Sequence, residues 1–138
     1  MNAPFHLSLP CLDIEATRNF YIDKLGADLG RVAQNWLDIN LYGNQITFTK
    51  SGKFDFSFQN YSFEGKILPS FHFGIIVTHE VWEKLYKRIT SQHIELFEEI
   101  TFLKGKNGEH TSFFVKDPND YMVEFKTFAV TKDVFKTN

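Results

Sequence analysis

Phe5-His6-Leu7-Ser8-Leu9-Pro10 alternates apolar and polar side chains over a strand's length, which predicts a β-strand at the start of the chain. Asp13 then stands as an N-cap ahead of Ile14–Leu25, and Ile14, Arg18, Tyr21 and Leu25 are expected to stack on one side of a helix with Phe20 beside them. Gly26 is the natural stop. Three strands are predicted next, near Asp28–Ala33, Trp36–Tyr42 and Gln45–Lys50, with the turn Tyr42-Gly43-Asn44 between the last two. From Ser51 to Pro69 the aromatics are scattered among Gly, Ser, Asn and Pro, so this stretch reads as a connection with a short strand around Phe54–Phe58.

The second half repeats the order. Ser70–Val77 reads as a strand, and Thr78 caps a helix of about four turns whose stripe is Val81, Trp82, Leu85 and Ile89. Strand patterns follow near Ile94–Leu103, His110–Lys116 and Tyr121–Phe128, separated by the turns Gly105–Gly108 and Asp117–Asp120. Phe5-His6-Leu7 returns as Phe71-His72-Phe73, and Ile46-Thr47-Phe48 closes the first unit much as Val123-Glu124-Phe125 closes the second. The chain is thus expected to be α+β, a single domain built from two βαβββ modules. Module one covers about 4–50, the connection about 51–69, module two about 70–128 and a C-terminal tail about 129–138.

Composition narrows the function. At 138 residues, 43% hydrophobic and 23% charged, the chain has the balance of a compact folded protein. No apolar run approaches a membrane span, and Met1–Pro10 has no basic-then-apolar signal pattern, so a soluble cytoplasmic protein without a membrane partner is expected. A formal charge of −2 gives no basic field for nucleic acid. The lone Cys11 excludes an internal disulfide and a Cys-rich zinc site, and with no activating base beside it reads as a small packing group. Sixteen Phe supply unusual apolar area for so small a core.

Strand parity then gathers the chemistry. Phe5, Leu7 and Leu9 share a packing face, as do Phe71, Phe73, Ile75 and Val77, and Tyr121, Val123 and Phe125. His6, His72 and Glu124 fall on the opposite faces, two of them at equivalent positions of the repeat, and the small Ser8 and Gly74 two residues beyond the histidines are expected to leave room beside the imidazoles. Taken singly, each is more often an ordinary histidine or a solvated carboxylate. Taken together, two imidazoles and one carboxylate on neighbouring strands form a facial metal-ligand set suited to Fe2+, Mn2+, Ni2+ or Zn2+. By the same parity Trp36, Asp38, Asn40, Gln45 and Thr47 turn away from the core and are candidates to line a substrate site. Lys126 reads first as a surface lysine and otherwise as a partner for Glu124 or for an anionic substrate, and His79 and His93 as surface residues at the ends of the second helix.

The opening strand with Asp13, Asn19-Phe20-Tyr21 and Leu25-Gly26, followed by Phe71-His72-Phe73-Gly74 and Asp117–Phe125, resembles the vicinal oxygen chelate superfamily of glyoxalase, bleomycin-resistance and extradiol-dioxygenase proteins. The resemblance runs from Phe5 to about Phe128. It implies curled mixed sheets forming an open cup around a divalent metal, with His6, His72 and Glu124 at the ligand positions, and it implies a homodimer. Glyoxalase-like members usually carry a fourth ligand where Thr47 stands, and a hydroxyl is a poor ligand for these metals. Three ligands resemble the dioxygenase branch, in which His110 is near the expected acid–base position. Phe114 takes the place of that branch's Tyr and cannot donate a proton. The expectation is a metal-dependent enzyme, dioxygenase-like, acting on a small substrate that chelates through vicinal oxygens. The alternatives are a glyoxalase-like lyase or isomerase and a metal-free drug-binding protein of the same fold.

Overall fold

The computed structural model of the chain describes residues 3–55 and 59–137. These form two compact units, the first of residues 3–55 with 117–120 and the second of residues 59–116 with 121–137. No helix of the described residues is long and apolar enough to cross a membrane.

Unit 1 contains β1 (His6–Cys11), α1 (Ile14–Arg18) running on into a π-helical segment (Asn19–Lys24), β2 (Asp28–Ala33), β3 (Trp36–Leu41) and β4 (Asn44–Lys50). The strands form one sheet in the order β1-β4-β3-β2, with β1 parallel to β4 and the other pairs antiparallel. Asp13 caps α1 as expected, its carboxylate accepting from the Ala16 N–H at 2.8 Å. The expected helix face is corrected at one position: Thr17 is buried and Arg18 is exposed. The wider turn begins just beyond, where the Leu25 N–H reaches back five residues to the Phe20 carbonyl at 2.9 Å. Phe20, Tyr21 and Leu25 are all buried, with the Tyr21 ring 5.0 Å from that of Phe48 on β4.

Leu37, Ile39, Leu41, Ile46 and Phe48 are the buried face of β3 and β4. Phe5, expected on the packing face, is 60% exposed, because it precedes β1 at the open end of the sheet. Residues 117–120 complete this unit. Tyr21 Oη donates to Asp117 at 2.9 Å, while the Asn119 side chain accepts from the Leu12 N–H at 2.8 Å and donates to Thr17 Oγ1 at 3.2 Å. Cys11 lies wholly buried beside these groups; burial pushes its thiol pKa up, in keeping with a packing role.

Unit 2 contains β5 (Tyr61–Phe63), β6 (Lys66–Leu68), β7 (Phe73–Ile76), α2 (His79–Ser91), β8 (Leu96–Phe102), β9 (His110–Lys116) and β10 (Met122–Phe128), followed by a 3₁₀ helix (Thr131–Phe135). Its main sheet has the order β7-β10-β9-β8, again with the outer pair β7 and β10 parallel. The repeat extends to a detail of register. A shift between Leu29 and Val32 on β2 matches one between Leu96 and Glu98 on β8. Thr78 caps α2, and Trp82, Leu85 and Ile89 are its buried stripe. Trp82 Nε1 donates to the Phe125 carbonyl at 2.9 Å, pinning the helix to β10.

The segment read as a connection holds a structured hairpin, β5–β6, which is a correction. Glu64 and Gly65 both have positive φ, 48° and 77°, so they form the two-residue turn whose twist suits a hairpin. The sequence signal for that turn is normally Asn-Gly or Asp-Gly, and Glu-Gly hides it. The expected strand around Phe54–Phe58 falls largely on residues 56–58, outside the described residues, while Phe54 and Asp55 are not in a strand. His79 and His93 are exposed at the ends of α2, as expected.

Candidate functional site

On the face of the unit 2 sheet away from α2, side chains fall into three cross-strand layers. Glu124 lies opposite Phe114 and then Glu98, Lys126 opposite Ser112 and then Ile100, and Phe128 opposite His110 and then Phe102. One end of the face is therefore charged and the other aromatic. Leu68 of β6 joins Ile100, Phe102 and Phe114 in an apolar cluster, and Phe63 packs on Phe102 with ring centroids 5.2 Å apart. Two polar ties hold the hairpin to the sheet: Lys66 pairs with Glu98 at 3.1 Å, and Glu64 accepts from the Leu103 N–H at 3.2 Å. Between hairpin and sheet lies a cavity of about 190 Å³, lined by residues that include Tyr61, His72, His110, Glu124 and Lys126.

His72 and Glu124 meet in this cavity. His72 Nε2 is 3.3 Å from Glu124 Oε2, and His72 Nδ1 donates to the Pro69 carbonyl at 3.0 Å. That carbonyl fixes Nδ1 as a donor, so Nε2 hydrogen-bonds the carboxylate only when it too carries a proton. Glu124 is buried, and its other oxygen accepts from Ser112 Oγ at 2.6 Å, with Lys126 Nζ 3.5 Å away. Burial pushes the Glu124 carboxyl up, but His72, Ser112 and the Lys126 charge outweigh it and leave the pKa below the ordinary value. The hydrogen bond to Glu124 raises His72 against its burial. A metal at Nε2 therefore takes the place of a proton. Lys126 is thus a half-buried partner of Glu124 rather than a surface lysine.

Gly74 has a different role from the one its size suggested. A Cβ there would lie 1.9 Å from the Glu124 carbonyl oxygen, so glycine is needed for β7 to lie against β10. His110 lines the same cavity, its ring between Phe102 and Phe128 and its Nδ1 donating to the Gly108 carbonyl at 2.7 Å. Its Nε2 is left as the acceptor. Phe114 packs edge-on against His72 with centroids 5.4 Å apart.

Four lining residues escaped the sequence reading: Tyr61, Phe63, Leu68 and Phe102. Tyr61 reaches the cavity from β5, placing a phenol near a site where Phe114 offers none. Burial and the Glu124 charge raise its pKa, so it remains a proton donor at neutral pH. Only recognition of the Glu64-Gly65 turn would have signalled it.

The remaining candidates lie in unit 1. His6 is exposed on β1 and pairs in register with Gln45. Asp38, Asn40 and Gln45 line a cavity of about 270 Å³ together with Arg31. Asp38 is buried, accepting from Thr47 Oγ1 at 2.7 Å, Arg31 Nε at 2.9 Å and Gln45 Nε2 at 3.2 Å, and Arg31 lies over the Trp36 ring. Ser8 pairs with Thr47 as Gly74 pairs with Glu124, so Thr47 holds the position that carries the carboxylate in unit 2. Among the described residues, no three His, Cys, Asp or Glu side chains gather to hold a metal ion.

The environment of Asp38 gives a pH prediction. Burial raises its pKa, yet Thr47, Arg31 and Gln45 together bring it below the ordinary aspartate value. The stabilisation is therefore complete above about pH 4 and lost as the pH falls through the lower folded value. Asp38→Asn is expected to cost about 1–2 kcal/mol at neutral pH. The gap from the unmutated chain should begin to narrow below about pH 4 in melting curves run as a pH series; a gap that does not narrow as the pH falls contradicts the assignment.

The paired modules, with matching strand order and a His–Glu pair across β7 and β10, belong to a known architecture. A family model described as Glyoxalase/Bleomycin resistance protein/Dioxygenase superfamily matches residues 4–125. The chain belongs to that superfamily. A superfamily protein from Alicyclobacillus acidocaldarius, described as glyoxalase/bleomycin resistance protein/dioxygenase, is similar over 97% of each chain, with 26% identity and a TM-score of 0.82. The fosfomycin resistance protein FosX of Listeria monocytogenes shares the fold at 16% identity, covering 96% of this chain and 98% of its own, with a TM-score of 0.65. So does a lactoylglutathione lyase of Agrobacterium tumefaciens, at 12% identity over 99% and 98%, with a TM-score of 0.66. Comparison with curated protein sequences finds no match.

Proposed function

We propose that this superfamily member is a divalent-metal-dependent enzyme acting on a small substrate with vicinal oxygens, with His6, His72 and Glu124 as its ligands. The observation that carries the reading is the convergence of His72 Nε2 and Glu124 Oε2 to 3.3 Å, with the Nδ1 proton of His72 already committed to Pro69. This donor chemistry fits two positions of a facial ligand set, and His6 of β1 is the proposed third. Imidazole and carboxylate suit Fe2+ or Mn2+, and also Ni2+ or Zn2+. Bound there, such an ion supplies Lewis acidity to substrate oxygens.

The chain's own groups do the rest. Ser112 and Lys126 hold Glu124 in a fixed orientation. His110 Nε2 can take a substrate proton, and the Tyr61 phenol can donate one. Phe102, Phe114 and Leu68 keep water from the apolar side of the cavity. Of the two chemistries weighed, a dioxygenase-like oxidoreductase is favoured over a lyase, because the Thr47 hydroxyl is spent on Asp38 and offers no fourth ligand.

Elemental analysis of anaerobically purified protein tests the reading. About one Fe or Mn per chain is expected, lost in His72→Ala and in Glu124→Gln, with far-UV circular dichroism showing that the variants fold. Retention of metal in folded His72→Ala overturns the ligand assignment. Stoichiometric Ni or Zn moves the chemistry to the lyase or isomerase alternative. A second reading, a metal-free small-molecule binder, is favoured by the mutual neutralisation of His72, Glu124 and Lys126. It gains the case if no metal binds after reconstitution. Sedimentation of the same preparation reads out the proposed homodimer.

A further inference from the structure

The C-terminal segment, expected as a tail, folds back onto the loop that holds His110. Just past β10 the Ala129 N–H donates to the Glu109 carbonyl at 2.9 Å. The 3₁₀ helix beyond it is largely exposed, with Phe135 at 92%, yet the Asp133 side chain within it is only 9% exposed. Burying a carboxylate on such a segment is unfavourable unless donors meet it. Asp133 Oδ2 accepts from the Gly108 N–H at 3.4 Å, and its other oxygen has Lys136 Nζ 3.6 Å away.

Gly108 is a residue where such a hold matters. Its φ is 80°, and with no Cβ its flanking peptide groups turn at little cost. Three peptide groups join Asn107 to His110. Asp133 holds the N–H of the first, and the Glu109 N–H of the second donates to the Lys106 carbonyl at 3.2 Å. Ala129 holds the carbonyl of the third. The middle group carries the Gly108 carbonyl, which takes the His110 Nδ1 proton at 2.7 Å. The C-terminal segment thus restrains the peptide groups on both sides of the one that meets the imidazole.

The rest of the His110 surroundings does not choose between its nitrogens. Phe102 and Phe128 pack on the ring, with centroids 5.2 and 5.0 Å away, and confine it whichever nitrogen is protonated. A carbonyl can only accept, so Gly108 keeps the proton on Nδ1 and leaves a lone pair on Nε2. The other carboxylate of the loop is engaged elsewhere, Glu109 Oε2 accepting from the Gly105 N–H at 2.7 Å.

We propose that Asp133 is a positioning residue for His110: by holding the Gly108 N–H it keeps the Gly108 carbonyl aimed at Nδ1, and so keeps Nε2 free as the base. The proposal deepens the enzymatic reading and rests on it for the use made of Nε2. It makes the C-terminal segment part of the support of the site.

The test is long-range 1H–15N NMR of the full chain, chelator-treated so that no paramagnetic ion broadens the ring signals. At about pH 8 an imidazole of ordinary pKa is neutral and its tautomer can be read. His110 of the unmutated chain is expected in the Nδ1–H form. Asp133→Ala should lower its ratio of Nδ1–H to Nε2–H by about fivefold, the weight of one ordinary hydrogen bond. Asp133→Asn keeps an acceptor oxygen and should restore most of that ratio. The His72 ring, tied separately to the Pro69 carbonyl, is the internal control and should not respond to either variant. Phe135→Ala, on the same segment, should leave both rings unchanged. An Nε2–H His110 in the unmutated chain overturns the proposal, as does an unchanged ratio in folded Asp133→Ala. Equal shifts at His110 and His72 also overturn it, since they mark a general loosening. The two readings fail separately. An Asp133-dependent Nδ1–H form in a chain that retains no metal supports the positioning and removes the metalloenzyme, whereas metal retained with a tautomer indifferent to Asp133 does the reverse.

Discussion

Gly74→Ala is expected to destabilise the chain by about 3 kcal/mol or more and to disrupt the proposed metal site along with that stability. The added Cβ would lie 1.9 Å from the Glu124 carbonyl oxygen, 2.7 Å from its carbonyl carbon and 2.9 Å from its Cβ. The first two are backbone atoms of a central strand, paired on its other side with β9, so they cannot rotate away as a side-chain tip would. Relief requires β7 to part from β10 at the Gly74–Glu124 pair, two residues from His72. The His72–Glu124 contact at 3.3 Å depends on that separation, and stability and ligand geometry fall together. The equivalent Ser8 in unit 1 already carries a Cβ opposite Thr47, so Ser8→Ala serves as the mild control. Thermal melts and metal content of both variants check this. A Gly74→Ala protein that melts like the parent would show that β7 has room the distances deny.

Phe113→Ala should cost about 3–5 kcal/mol, a fall in melting temperature of roughly 10 °C or more. Phe113 is fully buried on the face of β9 that packs under α2. Its ring centroid lies 5.2 Å from Trp82, 5.8 Å from Tyr86 and 5.3 Å from Phe125, so truncation empties the junction of helix and sheet. The neighbours cannot collapse into the gap, because Trp82 is pinned to the Phe125 carbonyl and Tyr86 Oη donates to Glu99 at 2.9 Å. The cavity face of β9 carries His110, Ser112 and Phe114 and is not cut by the substitution. Chemical denaturation measures the loss, and a cost under 1 kcal/mol would mean the helix repacks.

The contrast between these two positions shows what a sequence reading can reach. Phe113 follows from alternation alone: it is on the apolar parity of a strand, and a buried aromatic there is ordinary. Gly74 does not. Its small size was visible, and the reading gave that size to room beside the imidazole. The actual constraint is the backbone of a strand fifty residues downstream, which no local pattern encodes. Arg18 and Thr17 differ for a related reason. A helical period leaves Thr17 and Arg18 on either flank of the Ile14–Tyr21 line, and Thr17 is the buried one, where it accepts a hydrogen bond from Asn119 far along the chain.

The amino-acid sequence by itself determined the two βαβββ modules, their turns, and the parity that sets His72 and Glu124 on the face away from the helix. These follow from backbone periods of 2 and 3.6 residues, which each segment imposes on its own side chains. Only the tertiary structure decided that the 51–69 connection folds as a hairpin over that face, bringing Tyr61 and Phe63 to the cavity. It also decided that Asp38 is buried under three donors and that Lys126 turns to Glu124. These outcomes depend on contacts between segments far apart in the chain, where burial and charge pairing choose among rotamers and turns that local preference leaves equal.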